Sequence, residues 1–418
     1  MRVRVILVSF CAVFACGATL VSHPMAWARG STGYQQVPAE TSPKSRWYDL
    51  SQIGVRSVSD ALLLTKRDLA RLRDDAGILD LSDRSCLPPL QLLWDRKVLE
   101  NSEEWEKGIE TGKAVVGYPS IVRNVHGVTP DGQYYLFYAI HDAYSGIGVA
   151  ISPTIDGTFR KLHEIQPWRP DSRVLRAPER PRDQSHFSSP VVLWNPRENR
   201  WFMYFHFYAN EWDLGMGHQR TALAISDGLA RHSWTPWTDR KKRLIGVLPT
   251  TRARWMNSQS TYHSIQRLPN GTWLAFLRGT GGQYNGSEWV QDPSKLGFAI
   301  SRDGRRWAEV PDNPVIYQDD GRHGRRGVYR PQFVARLSDR FLVVWSESNY
   351  YDGDSRLMQA TTRDFQSIEP VAAELPELKL NMADGAMSPW REGNTLYFFY
   401  GARQSAWRML DGCSTQRK

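Results

Sequence analysis

A pattern of strand, turn, strand and strand returns five times between Gly117 and Arg403, and no other feature limits the fold as much. Its clearest copy runs from Ser185 to Trp234. The run SHFSSPVVLW is followed by a turn at Asn195 to Arg200 and by WFMYFHFY, Trp201 to Tyr208. β-Branched and aromatic runs joined by a Pro/Asn/Glu/Arg turn predict a hairpin. After a polar excursion, TALAISDG (Thr221 to Gly228) predicts a third strand that ends in a turn, where Gly makes positive φ inexpensive. The region of Trp234 supplies a fourth, outer strand. One such meander cannot bury both of its faces alone, so it needs copies of itself on either side.

The copies are present. GYPSIVRN, a PDG turn at Pro130 to Gly132, QYYLFYAIHD and GVAIS precede it. YHSIQRL, a PNG turn at Pro269 to Gly271, TWLAFLRG and GFAISRDGRRW follow. Next come YRPQFVARL, an SDR turn at Ser338 to Arg340, FLVVWSES and LMQATTRDF, and last GAMSPW, an EGN turn at Glu392 to Asn394 and TLYFFYGAR. The equivalent positions Pro119, Pro190, Ser264, Pro331 and Pro389 are 71, 74, 67 and 58 residues apart. The expectation is an all-β chain: a five-bladed β-propeller of four-stranded antiparallel blades over residues 85–413, with a C-terminal tail at 414–418. LQLLWDRKVLEN, Leu90 to Asn101, is the candidate for the strand that closes the last blade.

Residues 1–28 have the form of an export signal: Arg2 and Arg4, an apolar run Val5 to Ala18, and the small-x-small triplet Ala26-Trp27-Ala28. The run is too short for a stable membrane span. The chain is therefore expected to be secreted or periplasmic, with a lipid anchor at Cys16 as the less favoured alternative. Cys86 and Cys413 remain after the signal, one on each side of the repeats, and in an oxidising compartment they would form a disulfide that clasps the ring. Residues 29–84 read as a polar linker with a short amphipathic helix at Ser59 to Asp75. The net charge of +9 is spread along the chain. It fits a solvated basic surface or an acidic partner such as an anionic polysaccharide, and no nucleic-acid motif accompanies it. A monomer is expected.

Blade geometry selects candidate site residues. The start of a first strand and the end of the second lie on the same face of the disc, because the two strands are antiparallel. That rule gathers Tyr118, His141 and Asp142 from unit one, Asp183, His186 and His206 from unit two, and Tyr262, His263 and Arg278 from unit three. Tyr329, Arg330 and Glu347 come from unit four, and Asp384 and Arg403 from unit five. Asp183, Glu347 and Asp384 are the candidate catalytic carboxylates; the others are candidates for holding substrate. Each also has a plainer reading. The tyrosines could be packing residues, His206 a hydrogen-bonded core histidine, the acids turn or salt-bridge groups, and Arg330 the partner of Glu347. The turn SRDGRRW, Ser301 to Trp307, resembles the Asp-box of sialidases but is one residue short, and reads as structural. YDGD, Tyr351 to Asp354, lacks EF-hand spacing and reads as a surface turn. No zinc spacing, phosphate loop or nucleophile elbow appears. No metal or cofactor is indicated, although a structural calcium ion would be compatible.

The order HFSSPVV, turn, WFMYFHFY, ALAISDG resembles the five-bladed glycosidase superfamily that includes glycoside hydrolase families 43, 32, 62 and 68, over roughly residues 90–412. The resemblance implies cleavage or transfer of furanosides and pentosides by three inner-strand carboxylates: a base or nucleophile, an acid, and one that tunes the acid. The acid needs a raised pKa, which burial or a like charge supplies. The catalytic signature differs here. Tyr118-Pro119-Ser120 stands where family 43 places an Asp, and Tyr262-His263-Ser264 where it places the acid Glu. The family-32 runs are absent, and Asp183 alone loosely matches a family carboxylate. The expected function is a glycoside hydrolase acting on a poly- or oligosaccharide through carboxylates in the propeller funnel; a non-catalytic glycan-binding propeller and a polysaccharide lyase using His, Tyr and Arg are the alternatives.

Overall fold

Fully apolar second strands such as YYLFYA and TLYFFY can be buried on both faces only if something packs against each side of their sheet. A computed structural model shows what does. It describes residues 46–63, 78–107, 116–141, 145–178, 186–209, 218–230, 234–240, 242–248, 254–284, 289–316, 326–349, 355–371 and 387–412. All of them lie within one unit of the chain, Pro43–Lys418.

Strands dominate, with a few short helices. Unit 1 has strands Gly117–Arg123, Tyr134–Ala139, Gly146–Ser152 and Arg160–Lys161. Unit 2 has Phe187–Asn195, Arg200–Ala209, His218–Ser226 and Thr235–Pro236. Unit 3 has Gln259–Arg267, Trp273–Thr280, Lys295–Ser301 and Trp307–Glu309. Unit 4 has Arg326–Arg336, Phe341–Asn349, Ser355–Thr362 and Glu369–Pro370. Consecutive strands within each pair antiparallel. Unit 5 contributes Met387–Glu392, Thr395–Tyr400 and Arg403–Met409, and takes its outer strand, Leu90–Lys97, from before unit 1. The strand expected to join the last unit therefore pairs with it.

Alternate residues of each second strand enter two different cores, as strand geometry requires. Met203 and Phe205 pack with Phe137 and Val149 of unit 1, while Phe202 and Tyr204 pack with Trp273 and Leu277 of unit 3. Phe276 and Phe298 of unit 3 meet Phe333 and Trp345 of unit 4. Leu342 and Val344 meet Phe398 and Trp407 of unit 5. Tyr397 and Phe399 of unit 5 return to Leu136 and Tyr138 of unit 1. Each buried aromatic in these layers contributes about 1.5–3 kcal/mol. The first strands also touch in succession, with that of unit 5 meeting that of unit 1. Serine hydroxyls stitch them: Ser120 Oγ accepts from Val192 N, Ser264 Oγ from Phe333 N, and Ser388 Oγ from Ile121 N.

The segment read as a linker does more than connect. Leu50–Ile53 forms a 3-10 turn, and Ser57 Oγ caps the helix Val58–Leu62 by accepting from Asp60 N at 3.1 Å. Ile53, Val55, Val58 and Ala61 are buried in the core shared by units 3 and 4. The expected helix thus starts one residue sooner, at Val58, and its part beyond residue 63 lies outside the described residues. So do residues 1–28, Cys413 and the tail 414–418. Among the described residues no helix is long and apolar enough to cross a membrane.

Candidate functional site

In units 1 to 4 the first strand carries a bulge near its start, where its register against the second strand shifts by one residue. A non-glycine residue with positive φ sits in each bulge: Tyr118 at 54°, Ser189 at 52°, Tyr262 at 45° and Arg330 at 53°. Side chains rarely adopt this conformation, and it costs on the order of 1–3 kcal/mol at each position. Bulges re-aim side chains. Here they bring Tyr118, Tyr262 and Arg330 together, although those residues are far apart in sequence. Arg330 Nη2 donates to the Tyr118 hydroxyl at 3.1 Å, and the Tyr118 and Tyr262 ring centroids are 6.2 Å apart.

Three histidines adjoin them. His141 follows the second strand of unit 1, His186 precedes the first strand of unit 2, and His206 lies within the second strand of that unit. His186 Nε2 and His206 Nε2 are 2.9 Å apart, and the His141 and His186 ring centroids 4.3 Å. His141 Nε2 and the Tyr262 hydroxyl are 2.6 Å apart. His186 and His206 are buried, whereas His141 keeps access to solvent although protein surrounds it on most sides. Burial first, and then the adjacent His186, holds both His206 and His141 well below the ordinary histidine pKa; Arg330 adds to the effect at His141. Burial likewise raises the Tyr262 phenol.

Arg278 completes the cluster from the second strand of unit 3. Only 6% exposed, it donates to Gln259 Oε1 and lies over the Tyr262 and Tyr329 rings, 4.5 Å and 5.0 Å from their centroids. Its Nε has no hydrogen-bond partner, and it makes no ion pair with a described residue. Burial lowers its pKa. Below the cluster, first-strand residues including Pro119, Pro190, Ser264, Gln332 and Ser388 line a narrow cavity of about 30 Å³.

The structure thus gathers Tyr118, His141, His186, His206, Tyr262, Arg278, Tyr329 and Arg330. His263 lies beside the group but reads as a core histidine. Its Nδ1 is 2.9 Å from Thr221 Oγ1, its Nε2 is unpartnered, and burial depresses its pKa to about 3. Glu347 is half-buried opposite Val328, and among the described residues no ion pair joins it to Arg330 or Arg278. Arg403 starts a third strand instead of ending a second one, and its Nε bonds Asp95 Oδ1 of the closing strand at 3.1 Å. Asp142, Asp183 and Asp384 lie outside the described residues, as does the YDGD turn. Sequence reasoning missed Gln259, whose signal was its place three residues before Tyr262 on a strand already singled out, and Ser189, the fourth bulge residue.

The SRDGRRW turn is structural. Asp303 Oδ1 accepts from Arg305 N and Arg306 N, and Gly304 O accepts from the Tyr204 hydroxyl and from Trp307 Nε1. Gly304 has φ +73°, and a Cβ there would come within 2.5 Å of the Tyr204 hydroxyl.

No family model and no curated protein matches the sequence. Solved structures do resemble the fold. A complex of BT0996 with RGII matches at 11% identity and TM-score 0.52, covering 85% of this chain and 98% of that one. A glycoside hydrolase matches at 11% identity and TM-score 0.50, with the same coverage. A thermostable family-43 glycoside hydrolase matches at 15% identity and TM-score 0.46, covering 73% of this chain and 96% of that one. At these identities the likeness is one of fold: all-β, with glycosidase neighbours of propeller type.

Proposed function

We propose that the chain is an exported carbohydrate-active enzyme, a five-bladed propeller that cleaves an anionic poly- or oligosaccharide at the Tyr–His–Arg cluster. The cyclic succession of shared cores supports the blade count. The observation that carries the function is Arg278: a buried guanidinium that pairs with no carboxylate among the described residues, beside Arg330 and two tyrosine hydroxyls. A buried cation is costly unless an anion compensates it, and a uronate carboxylate entering the cluster would do so.

The described groups suit β-elimination. Arg278 and Arg330 neutralise the sugar carboxylate and so acidify the adjacent C5–H. Tyr262, whose hydroxyl faces His141 Nε2, accepts the C5 proton as its own passes to that imidazole, so that no free phenolate forms and the anionic sugar offsets the burial that depresses His141. Electrons of the C5–H bond form the C4–C5 double bond as the C4–O bond breaks. Tyr118, oriented by the Arg330 Nη2 hydrogen bond to its hydroxyl, protonates the leaving oxygen. The products are an unsaturated uronate and a sugar with a new reducing end. Hydrolysis is the second reading, favoured by the fold likeness to glycoside hydrolases; Asp183, Glu347 and Asp384 would then be its acids.

Incubating the purified protein with uronate polymers, neutral polysaccharides and aryl glycosides separates the readings. Elimination gives ultraviolet absorbance from unsaturated uronates that is lost in Tyr262→Phe and retained in Glu347→Ala. New reducing ends without that absorbance, lost in Asp183→Ala or Glu347→Ala, would establish hydrolysis instead. Binding of a glycan with no product from any substrate would overturn both.

A further inference from the structure

We propose that His141, His186 and His206 form a binding site for one divalent transition-metal ion of the zinc type. Each offers a ring nitrogen, and these atoms lie within 4.8 Å of one another. Zinc–imidazole bonds of about 2.0–2.1 Å hold two tetrahedral donors roughly 3.3 Å apart. The 2.9 Å between His186 Nε2 and His206 Nε2 therefore needs to open by only a few tenths of an ångström to receive an ion. Imidazoles favour zinc, copper, nickel or iron over magnesium and calcium, which prefer oxygen. Three protein ligands leave a fourth position open, the pattern of a catalytic ion.

Placement favours the site as well. His206 is fixed within a strand, and His141 and His186 flank strands, so the ligands stand on the rigid part of the fold. Solvent-accessible His141 gives an ion a way in. The Tyr262 hydroxyl, next to His141 Nε2, is placed to meet either the ion or a group bound to it. The neighbouring Arg278 and Arg330 oppose a cation, and an anionic sugar offsets that repulsion. Ion and anionic glycan should therefore bind with positive coupling, each tightening the other by the same factor.

The ion's role rests on the reading of this cluster as the glycan site: when bound, it would take up charge on the sugar carboxylate and replace His141 as the group that draws the proton from Tyr262. Its presence does not rest on that reading, and is tested without turnover. The full-length protein, stripped with a chelator and dialysed, is titrated with Zn²⁺ by calorimetry and with Co²⁺ by visible absorbance. One equivalent should bind, with nitrogen-ligand cobalt bands and a higher Tm. His141→Ala and His186→Ala should each weaken binding at least 10-fold and abolish the Tm shift. His141 is solvent-accessible, so its variant folds even where loss of buried His186 disrupts packing; circular dichroism checks both. No stoichiometric uptake by the wild type, or uptake unchanged in His141→Ala, would overturn the site. Full glycan cleavage by the metal-free protein would remove the ion's role and leave the elimination reading standing. Zn²⁺ binding without cleavage of any glycan would do the reverse.

Discussion

The Arg278 guanidinium lies 4.5 Å from the Tyr262 ring centroid, and among the described residues its hydrogen-bond partner is Gln259 and not a carboxylate. Cation–π contacts recover about 2 kcal/mol when desolvated, short of the several kcal/mol it costs to bury an ion. The site therefore holds its cation at the expense of stability, as functional sites often do. Arg278→Met, which keeps the volume and removes the charge, should leave Tm unchanged or higher. It should also weaken binding of an anionic oligosaccharide at least about 30-fold, the equivalent of 2 kcal/mol. Arg278→Lys should fall between, because a point charge does not replace a planar one. Thermal melts beside calorimetric binding check this; a Tm drop of many degrees in Arg278→Met would show that the guanidinium is structural.

A buried ion pair makes the opposite prediction. Lys161 Nζ and Glu106 Oε2 are 2.5 Å apart, with side chains 4% and 0% exposed. Glu106 also accepts from the Tyr138 hydroxyl and from the backbone of Ser102 and Glu103, which pins the segment before unit 1 to that unit. Removing one partner strands the other charge. Glu106→Gln and Lys161→Met should each cost about 3–5 kcal/mol. Replacing the pair together, as Glu106→Gln with Lys161→Met, should cost less than the sum of the singles. Urea unfolding of the four proteins measures the coupling, and strict additivity would show that the two charges act independently.

Turn chemistry made the strands legible. PDG, SDG, PNG and EGN fall between runs whose apolar content leaves little alternative to a strand, and the observed strands start and stop within a few residues of those runs. The rule that first-strand starts and second-strand ends share a face found most of the cluster, because it depends on connectivity alone. It says nothing of which side of a strand a residue occupies, and so it could not separate Glu347 from Ser346, its neighbour on the other face. It also placed Arg403 at a strand end, when the chain has already turned at Gly401 and Ala402. The bulges were not legible. A one-residue register shift shows only in how two strands pair, and nothing local distinguishes Tyr118 in the left-handed region from a tyrosine in an ordinary strand.

Asp303 carries a pH prediction. Burial would raise its pKa, but hydrogen bonds from the Arg306 and Arg305 amides and the Arg306 side chain outweigh that and hold it below the ordinary carboxylate value. A folded-state pKa below the unfolded one means stabilisation that is full above the unfolded value, about 3.9, and is lost as pH falls through the folded value. Asp303→Asn should thus cost about 1–3 kcal/mol at pH 7, with the difference from wild type shrinking in acid below pH 4. Urea melts across pH 2–7 check this, and a difference that does not vary with pH would assign the effect to packing rather than charge.

The last prediction concerns ring closure. The closing strand pairs with the third strand of unit 5 as Leu90↔Met409, Gln91↔Arg408 and Leu92↔Trp407, so partner numbers sum to 499. The bond from Leu410 N to Pro89 O, at 2.9 Å, continues that register by one step. Three further steps in that register would set residue 86 opposite residue 413, the two cysteines that follow the proposed signal. A disulfide between them would span 413 − 86 = 327 residues. In the chain-entropy model so long a loop is worth about 6 kcal/mol, if native geometry is unstrained. Protein exported to an oxidising compartment should therefore yield a Cys86–Cys413 peptide on non-reducing digestion, and Cys86→Ser should lower its Tm by several degrees. The same substitution should change little in protein made and kept under reducing conditions. That comparison separates the covalent clasp from packing of the thiol: an equal loss in both preparations would mean that Cys86 contributes through its packing and that no disulfide clasps the strand.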